Sequence, residues 1–182
     1  MAAYRTKKGK TRLLSTLNAF YGKTQATIKR NGDNGRDPAL SGYAHVSYGD
    51  WKAAEEEMKK EDIIAFFCEP IQGEGGINVP SEEYLPKMRE LCTAYDVYFC
   101  LDEVQAGSGR TGYLWAHQYY RDKARPDALA FAKAMSGSLV PVGGVLASKD
   151  LYMAAYGNDE TTFSIQQRIR TIRFQASRCL RV

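Results

Sequence analysis

Three short apolar runs, each ending in a polar side chain, constrain the fold more than any other feature of this sequence. The runs lie between Ile63 and Lys133, and they lead into Glu69, Asp102 and Lys133. Short continuous apolar runs of this kind are typical of strands that are buried on both faces of a parallel sheet. Because the carboxyl ends of such strands meet at one edge of the sheet, we expect these three side chains to lie close together.

Helical patterns alternate with the apolar runs. Asp50 precedes a run with apolar residues at helical spacing, and Ser81 is the predicted cap of a second helix with Glu82 and Glu83 in its first turn. Alternating strand and helix patterns predict an α/β fold, in which a mostly parallel sheet is flanked by helices.

Weaker patterns extend this prediction along the chain. Further strands are expected over 13–16, 97–101, 128–132 and 145–147, helices over 24–30 and 150–156, a helix-like segment over 114–121, and a loop over 31–41.

Composition places the chain in a broad class. Its 182 residues fit one ordinary domain, and an apolar share of 44% with 25% charged residues is typical of a globular protein rather than a disordered one. The net charge of +4 comes largely from basic residues near the two ends. Such ends indicate either solvated termini or a nucleic-acid-binding patch, and we predict the former.

Cysteine and histidine usage argues against disulfides and metals. Cys68 and Cys100 lie inside apolar runs, where cysteine behaves as a small apolar residue, and no cysteine pair has metal or redox spacing. His45 and His117 form no ligand pattern with acids or cysteines. No apolar run approaches membrane-spanning length, and no secretory signal is apparent. We therefore expect a cytoplasmic protein without a bound metal.

A lysine and an aspartate on neighbouring strand ends have a specific chemical use. Lys133 stands between the apolar DALAFA and the small-residue AMSGS segments, which predicts a semi-buried amine. Taken singly, each residue has an ordinary reading: Lys133 as a solvated lysine and Asp102 as a turn or capping residue. Together they match what pyridoxal phosphate requires, namely an amine for its aldehyde and an anion for its pyridine nitrogen.

Three ordered motifs carry a resemblance to a known family. The segments EPIQGEGG, LDEVQAGSGRTG and AKA followed by PVGGVLAS resemble those of class III, ornithine- and putrescine-type, pyridoxal-phosphate-dependent aminotransferases. The resemblance spans roughly residues 10–163 and is strongest over 64–148. It implies the large domain of the fold type I transferases, with pyridoxal 5′-phosphate as cofactor.

The resemblance also implies roles for individual residues. Lys133 matches the lysine that binds the cofactor aldehyde and shuttles the proton, and Asp102 matches the partner of the pyridine nitrogen. Gln105 matches the residue near the ring hydroxyl. Glu69 and Glu74 match the two carboxylates of the EPIQGE motif, which the resemblance places on the substrate side.

Outside the central motifs the resemblance assigns three further residues. The NAFYGKT segment places Phe20 against the cofactor ring and Lys23 where ornithine-type members bind a substrate carboxylate. Thr162 resembles a threonine that reaches the cofactor phosphate of the neighbouring subunit. The ordinary readings of Lys23 and Thr162 are a surface lysine and a surface threonine.

The sequence also departs from the family pattern. The small-residue segment that cradles the phosphate in the family would precede Lys10 and has no counterpart here, and residues 164–182 resemble nothing in the family. We therefore predict a partial cofactor-binding large domain over 1–163, truncated at both ends, followed by an atypical basic tail over 164–182.

The leading hypothesis is transfer of an amino group from an amine or ω-amino acid to a 2-oxo acid. The family resemblance adds a homodimer in the complete form, with no nucleic-acid or membrane partner. Two alternatives remain open: a catalytically incompetent aminotransferase-like chain, and an α/β module that binds nucleotides or nucleic acid through its basic ends.

Overall fold

A six-stranded sheet organises the computed structural model, which describes residues 10–23, 42–137 and 139–156. Within these residues the strand order is β2-β1-β3-β4-β5-β6. Neighbours from β2 to β5 are parallel, and only the β5–β6 pair is antiparallel. The strands are β1 (Arg12–Thr16), β2 (Tyr43–Val46), β3 (Ile63–Cys68), β4 (Tyr98–Asp102), β5 (Ala128–Phe131) and β6 (Gly144–Ala147). The predicted mostly parallel α/β sheet is confirmed.

Three α-helices and two 3₁₀ segments connect or follow the strands in the described residues. The helices are α1 (Trp51–Met58), α2 (Tyr84–Ala94) and α3 (Lys149–Tyr156), and the 3₁₀ segments are Ala116–Ala124 and Lys133–Ser136. The predicted cap of α1 is confirmed, since Asp50 Oδ1 accepts a hydrogen bond from the backbone N–H of Ala53 at 2.9 Å. None of the described helices is long and apolar enough to cross a bilayer.

The predicted cap of α2 at Ser81 is wrong. The helix begins at Tyr84, whose backbone N–H donates to the carbonyl of Ser81, and no side chain caps its first turn. Pro86 gives the physical reason, because a proline in a helix interior clashes with the carbonyl four residues earlier. A start at Tyr84 places Pro86 in the first turn, where its missing N–H has no helical partner to lose.

Other elements differ from prediction in their bounds or existence. Strand β2 was not predicted. Strand β4 is shifted by one residue from the predicted 97–101, and Asp102 is its last residue. The helix-like segment is a 3₁₀ segment with a break at Arg121, where φ is 53°. Short segments of this kind owe their conformation to neighbouring contacts more than to their own pattern.

The core lies between one face of the sheet and the helices α1 and α2. Phe66 of β3 and Phe99 of β4 stack with ring centroids 6.2 Å apart, and Met58 and Met88 from the two helices cover them as part of one buried cluster. On the second face the buried cluster consists, among the described residues, of strand side chains alone: Ile64, Ala65 and Cys100, with Leu13, Phe67, Tyr98 and Ala128 beside them. Cys68, Cys92 and Cys100 are buried, and none of them forms a disulfide within the described residues.

The parallel register brings several strand ends to one edge of the sheet. Cys68 pairs with Leu101, and Asp102 pairs with Ala130, so the residues that follow β3, β4 and β5 leave the sheet side by side. The predicted helix over 24–30, the loop over 31–41, the domain boundary at 163 and the tail over 164–182 lie outside the described residues.

Candidate active site

Chain segments from four strand ends meet at the carboxyl edge of the sheet and enclose a cavity of about 160 Å³. Its lining comes from the loop after β1, the loop after β3, the end of β4 and the residue that opens the 3₁₀ segment after β5: Phe20, Tyr21, Gly22, Glu69, Asp102, Val104, Gln105 and Lys133. The expectation that Glu69, Asp102 and Lys133 lie together is confirmed.

Lys133 supplies the only lysine amine among the residues that line this cavity. Its Nζ donates to Gln105 Oε1 at 3.2 Å, and its backbone has a left-handed φ of 50°. The side chain is exposed, so the predicted semi-buried setting is wrong. The reason is local, because Lys133 also lines a second groove of about 510 Å³, together with Ser136, Val140, Pro141, Val142 and Gly143.

Asp102 presents a carboxylate to the same cavity from the last position of β4. The side chain is half-buried, and its Oδ1 accepts a hydrogen bond from the backbone N–H of Val104 at 2.9 Å. A short-range bond of this kind is a typical aspartate turn. Asp102 therefore shapes the turn that carries Gln105 and also lines the cavity.

Gln105 fits against a glycine of the loop after β3. A Cβ atom built on Gly73 would lie 2.3 Å from Gln105 Oε1, so the amide can occupy its place only because residue 73 has no side chain. The same oxygen of Gln105, packed closely over Gly73, accepts the hydrogen bond from Lys133.

Glu69 is buried directly after the carboxyl end of β3, with 4% of its surface exposed. Its Oε2 accepts from the backbone N–H of Phe20 at 3.2 Å, and its Oε1 accepts from the backbone N–H of Gly73 at 3.4 Å. One carboxylate thus joins the loop after β1 to the loop after β3.

The electrostatics of the cavity follow from its burial. Burial raises the pKa of the Glu69 carboxyl above its ordinary value; the N–H groups of Phe20 and Gly73 oppose this rise, Asp102 adds to it and Lys133 opposes it. Burial also raises the pKa of the Tyr21 phenol well above its ordinary value, and its hydroxyl donates to the carbonyl of Phe67 at 3.1 Å. The tyrosine is therefore a neutral wall of the cavity near neutral pH.

A buried glutamine and a half-buried tyrosine, neither predicted as a site residue, hold the loop after β3. Gln72 Nε2 donates to the carbonyl of Leu17 at 2.8 Å, while its Oε1 accepts from Asn78 Nδ2 at 3.0 Å. The hydroxyl of Tyr48 donates to the carbonyls of Glu69 and Pro70 at 3.0 and 2.8 Å. Their role depends on pairs of residues distant in sequence, for which the residue pattern gives no signal.

Glu103 is a third residue that the sequence reading missed. Its carboxylate is buried and accepts from the backbone N–H groups of Ala116 and His117, and its Oε1 lies 2.7 Å from His117 Nδ1. His117 thus contacts an acid that lies 14 residues away in sequence. A signal was present, because adjacent residues of a strand point to opposite faces, so Asp102 and Glu103 cannot both face the cavity.

The other predicted site residues are not brought to the cavity. Lys23 and Glu74 are described by the structure as exposed, and neither lines the cavity. Thr162 lies outside the described residues. Within residues 10–23, 42–137 and 139–156, no group of three or more histidine, cysteine or acidic side chains is placed to hold a metal ion.

Comparison with known proteins gives consistent matches over most of the chain. The sequence profile of the family described as Aminotransferase class-III matches residues 1–166. An uncharacterized aminotransferase of Schizosaccharomyces pombe is 45% identical over 165 residues, which cover 88% of this chain and 34% of that protein. The putrescine aminotransferase of Pectobacterium atrosepticum is 37% identical over 165 residues, which cover 86% of this chain and 35% of that protein.

A solved structure gives the same result for the fold. The ornithine aminotransferase of Toxoplasma gondii ME49 superposes with a TM-score of 0.76 at 32% identity, covering 88% of this chain and 39% of that one. The chain thus spans about a third of the length of the curated relatives that it matches.

Proposed function

This chain belongs to the class III aminotransferases, a family that in general depends on pyridoxal phosphate, and we propose that it binds pyridoxal 5′-phosphate and takes part in amino-group transfer. The donor would be an amine or ω-amino acid, and the acceptor would be a 2-oxo acid. One observation carries the proposal: an amine, two carboxylates, an aromatic residue and an amide from four strand ends line one cavity at the carboxyl edge of the sheet.

The residues present fit this cofactor. Lys133 offers an exposed amine held by a single described hydrogen bond, Asp102 offers an anion, and Phe20 offers an aromatic side chain in the cavity wall. When bound, pyridoxal phosphate supplies an aldehyde for the amine and a pyridinium ring that accepts electrons from the substrate.

The residues of the chain then have separate tasks. Asp102 holds a proton on the pyridine nitrogen, because a carboxylate stabilises a nearby cation. Lys133 would take up a proton on Nζ and return it, as a general acid and base. Gln105 orients Nζ through the 3.2 Å hydrogen bond, and Phe20 packs against the ring.

An amine donor and its contacts in this chain are proposed from the similarity to known aminotransferases. The similarity to the putrescine aminotransferase supports an amine donor. Glu69, Glu74 and Lys23 are proposed substrate contacts from the family resemblance, and Thr162 is a proposed phosphate contact. The homodimer, the cytoplasmic location and the lack of nucleic-acid and membrane partners remain proposals as well.

The domain division is also proposed. We infer one large domain over 1–163 and an atypical tail over 164–182, and the family match that ends at residue 166 supports this boundary. Two of the basic residues near the start have internal partners: Lys10 donates to the backbone carbonyls of Tyr95 and Asp96, and Arg12 pairs with Asp62 at 2.6 Å. These contacts favour a structural use of this charge over nucleic-acid binding.

Borohydride reduction of the chain with pyridoxal phosphate, followed by peptide mass spectrometry, tests the proposal. We expect a phosphopyridoxyl adduct confined to the peptide that contains Lys133, and its loss in Lys133→Ala. Lys87→Ala is the matched control, because that lysine is exposed on α2 and pairs with Glu90. Adducts spread evenly over surface lysines, or none, would contradict the proposal.

A transfer assay on the same purified chain distinguishes amino-group transfer from cofactor binding alone. Amino-group transfer from putrescine or another ω-amine to a 2-oxo acid, measured after the adduct is established, distinguishes an active chain from the incompetent alternative. Selective labelling of Lys133 without transfer would favour the latter.

A further inference from the structure

Glu69 differs from the other carboxylate of the EPIQGE motif in being almost fully buried. It is 4% exposed, whereas Glu74 is exposed to solvent. Both Glu69 oxygens accept backbone N–H groups, one from Phe20 at 3.2 Å and one from Gly73 at 3.4 Å. The side chain therefore contacts two loops that both border the cavity.

Each of these loops leads to a residue of the proposed site. The first hydrogen bond fixes the backbone of Phe20, whose side chain lines the cavity. The second fixes Gly73, and a Cβ atom at that position would lie 2.3 Å from Gln105 Oε1. That same oxygen accepts the hydrogen bond from Lys133 Nζ at 3.2 Å. The carboxylate of Glu69 thus acts on both the aromatic wall and the lysine through backbone contacts.

We propose that Glu69 is a positioning residue that sets Phe20 directly and Lys133 through Gly73 and Gln105. The proposal rests on the proposed function, because it concerns how the cofactor cavity is held in shape. It gives Glu69 a role different from the substrate contact inferred from the family resemblance.

The cost of burying this group agrees with a positioning role. Burial raises the pKa of the Glu69 carboxyl despite two N–H donors, so its hydrogen bonds do not fully compensate its lost hydration. Groups that are kept at such a cost are concentrated at functional sites.

Two variants test the two sets of contacts separately: those of Glu69 with the backbone, and those of Gly73 with Gln105. In Glu69→Gln the side-chain amide can accept one backbone N–H, but its NH₂ group faces the other donor, so one bond is lost. In Gly73→Ala the carboxylate stays, and the new methyl group displaces only the flexible end of Gln105. Glu90→Gln is the matched control, since Glu90 is an exposed carboxylate on α2.

Amide hydrogen exchange reports on positioning without any cofactor. In Glu69→Gln we expect the backbone N–H of Phe20 or Gly73 to exchange roughly tenfold faster than in the wild type, because a hydrogen bond to a charged group is lost. Gly73→Ala and Glu90→Gln should leave the Phe20 exchange rate unchanged. Wild-type exchange at both amides in Glu69→Gln would overturn the proposal.

Selective labelling of Lys133 by pyridoxal phosphate and borohydride reports whether the amine of Lys133 is correctly positioned. We expect the ratio of Lys133 adduct to surface-lysine adduct to fall several-fold in Glu69→Gln and in Gly73→Ala, and to stay unchanged in Glu90→Gln. If Glu69→Gln loses its near-ultraviolet circular dichroism and does not fold, Gly73→Ala decides, and an unchanged ratio there would overturn the proposal. Absence of selective labelling in the wild type would instead refute the proposed function, and the exchange rates would still decide the role of Glu69.

Discussion

At the scale of single residues, Glu69 makes the stability of the protein depend on pH. Burial raises the pKa of its carboxyl in the folded state above the ordinary value of 4.5. A raised folded pKa means that the folded state binds this proton more tightly than the unfolded state does. The stabilisation is therefore fully present below the unfolded pKa and is lost as the pH rises through the folded pKa.

Comparison with Glu69→Gln isolates this contribution. The free energy of unfolding of the wild type minus that of the variant should decrease as the pH rises from 4 to 7, because glutamine does not titrate. Urea unfolding at several pH values in this range measures it. Carboxyls such as Asp62 and Glu57, whose pKa values are lowered by hydrogen bonds from Arg12 and Lys60 respectively, cancel in this difference. A difference that increases with pH would contradict the assignment of burial as the dominant cause.

At the scale of elements, Glu103 links strand β4 to the 3₁₀ segment Ala116–Ala124. Its buried carboxylate accepts the first two backbone N–H groups of that segment, and it also contacts the ring of His117. The first N–H groups of a helical segment have no internal partner, so a buried start requires an acceptor from elsewhere. Gly107 leaves room for this approach, because a Cβ atom there would lie 3.0 Å from Cε3 of Trp115, the residue that precedes the segment.

Glu103→Gln should therefore destabilise the fold by about 1–3 kcal/mol, the usual cost of leaving a buried donor without a partner. Urea unfolding measures the loss. Gln118→Ala is the comparison, because Gln118 Oε1 accepts the N–H of Trp115 at an exposed position, where water can replace it. Equal decreases in the free energy of unfolding in the two variants would show that the buried hydrogen bonds of Glu103 contribute no more than an exposed one.

The elements predicted best from sequence are those with a long or strongly periodic pattern. The apolar run of β3 and the amphipathic run of α1 have the predicted bounds to within a few residues. The short strand β2 has four residues and gains its conformation from pairing with β1, which no local pattern reveals. Helix α2 starts at Tyr84 and not directly after Ser81, because the steric effect of Pro86 outweighs the capping preference of Ser81.

At the scale of the whole molecule, topology explains how much of the site was predictable. Residues at the carboxyl ends of parallel strands lie at one edge of the sheet. The proximity of Glu69, Asp102 and Lys133 therefore follows from the strand pattern. Whether a side chain is buried depends on which loops cover it, and this is a property of the assembled chain. The sequence therefore did not reveal that Glu69 is enclosed by two loops or that Lys133 faces an open groove.

The β6 edge of the sheet carries exposed apolar side chains. Among the strands that the structure describes, β6 has a neighbour on one side only, and its Val145 and Leu146 are 67% and 49% exposed. Leu139 before the strand and Tyr152 and Met153 in α3 are exposed as well. An exposed apolar edge strand offers both unpaired backbone groups and apolar surface to a second chain.

The full chain should therefore self-associate through β6, and a charge on that strand should weaken the association. Val145→Lys is expected to raise the dissociation constant roughly tenfold, since burying a valine side chain contributes about 1.5 kcal/mol and a lysine resists the same burial. Sedimentation velocity over a concentration series measures this constant. Ala94→Lys adds the same charge at the exposed end of α2 and should leave it unchanged, so that net repulsion is excluded as the cause. If both variants weaken association equally, or neither does, the contact does not involve the β6 edge, and the apolar strand is covered within a single chain.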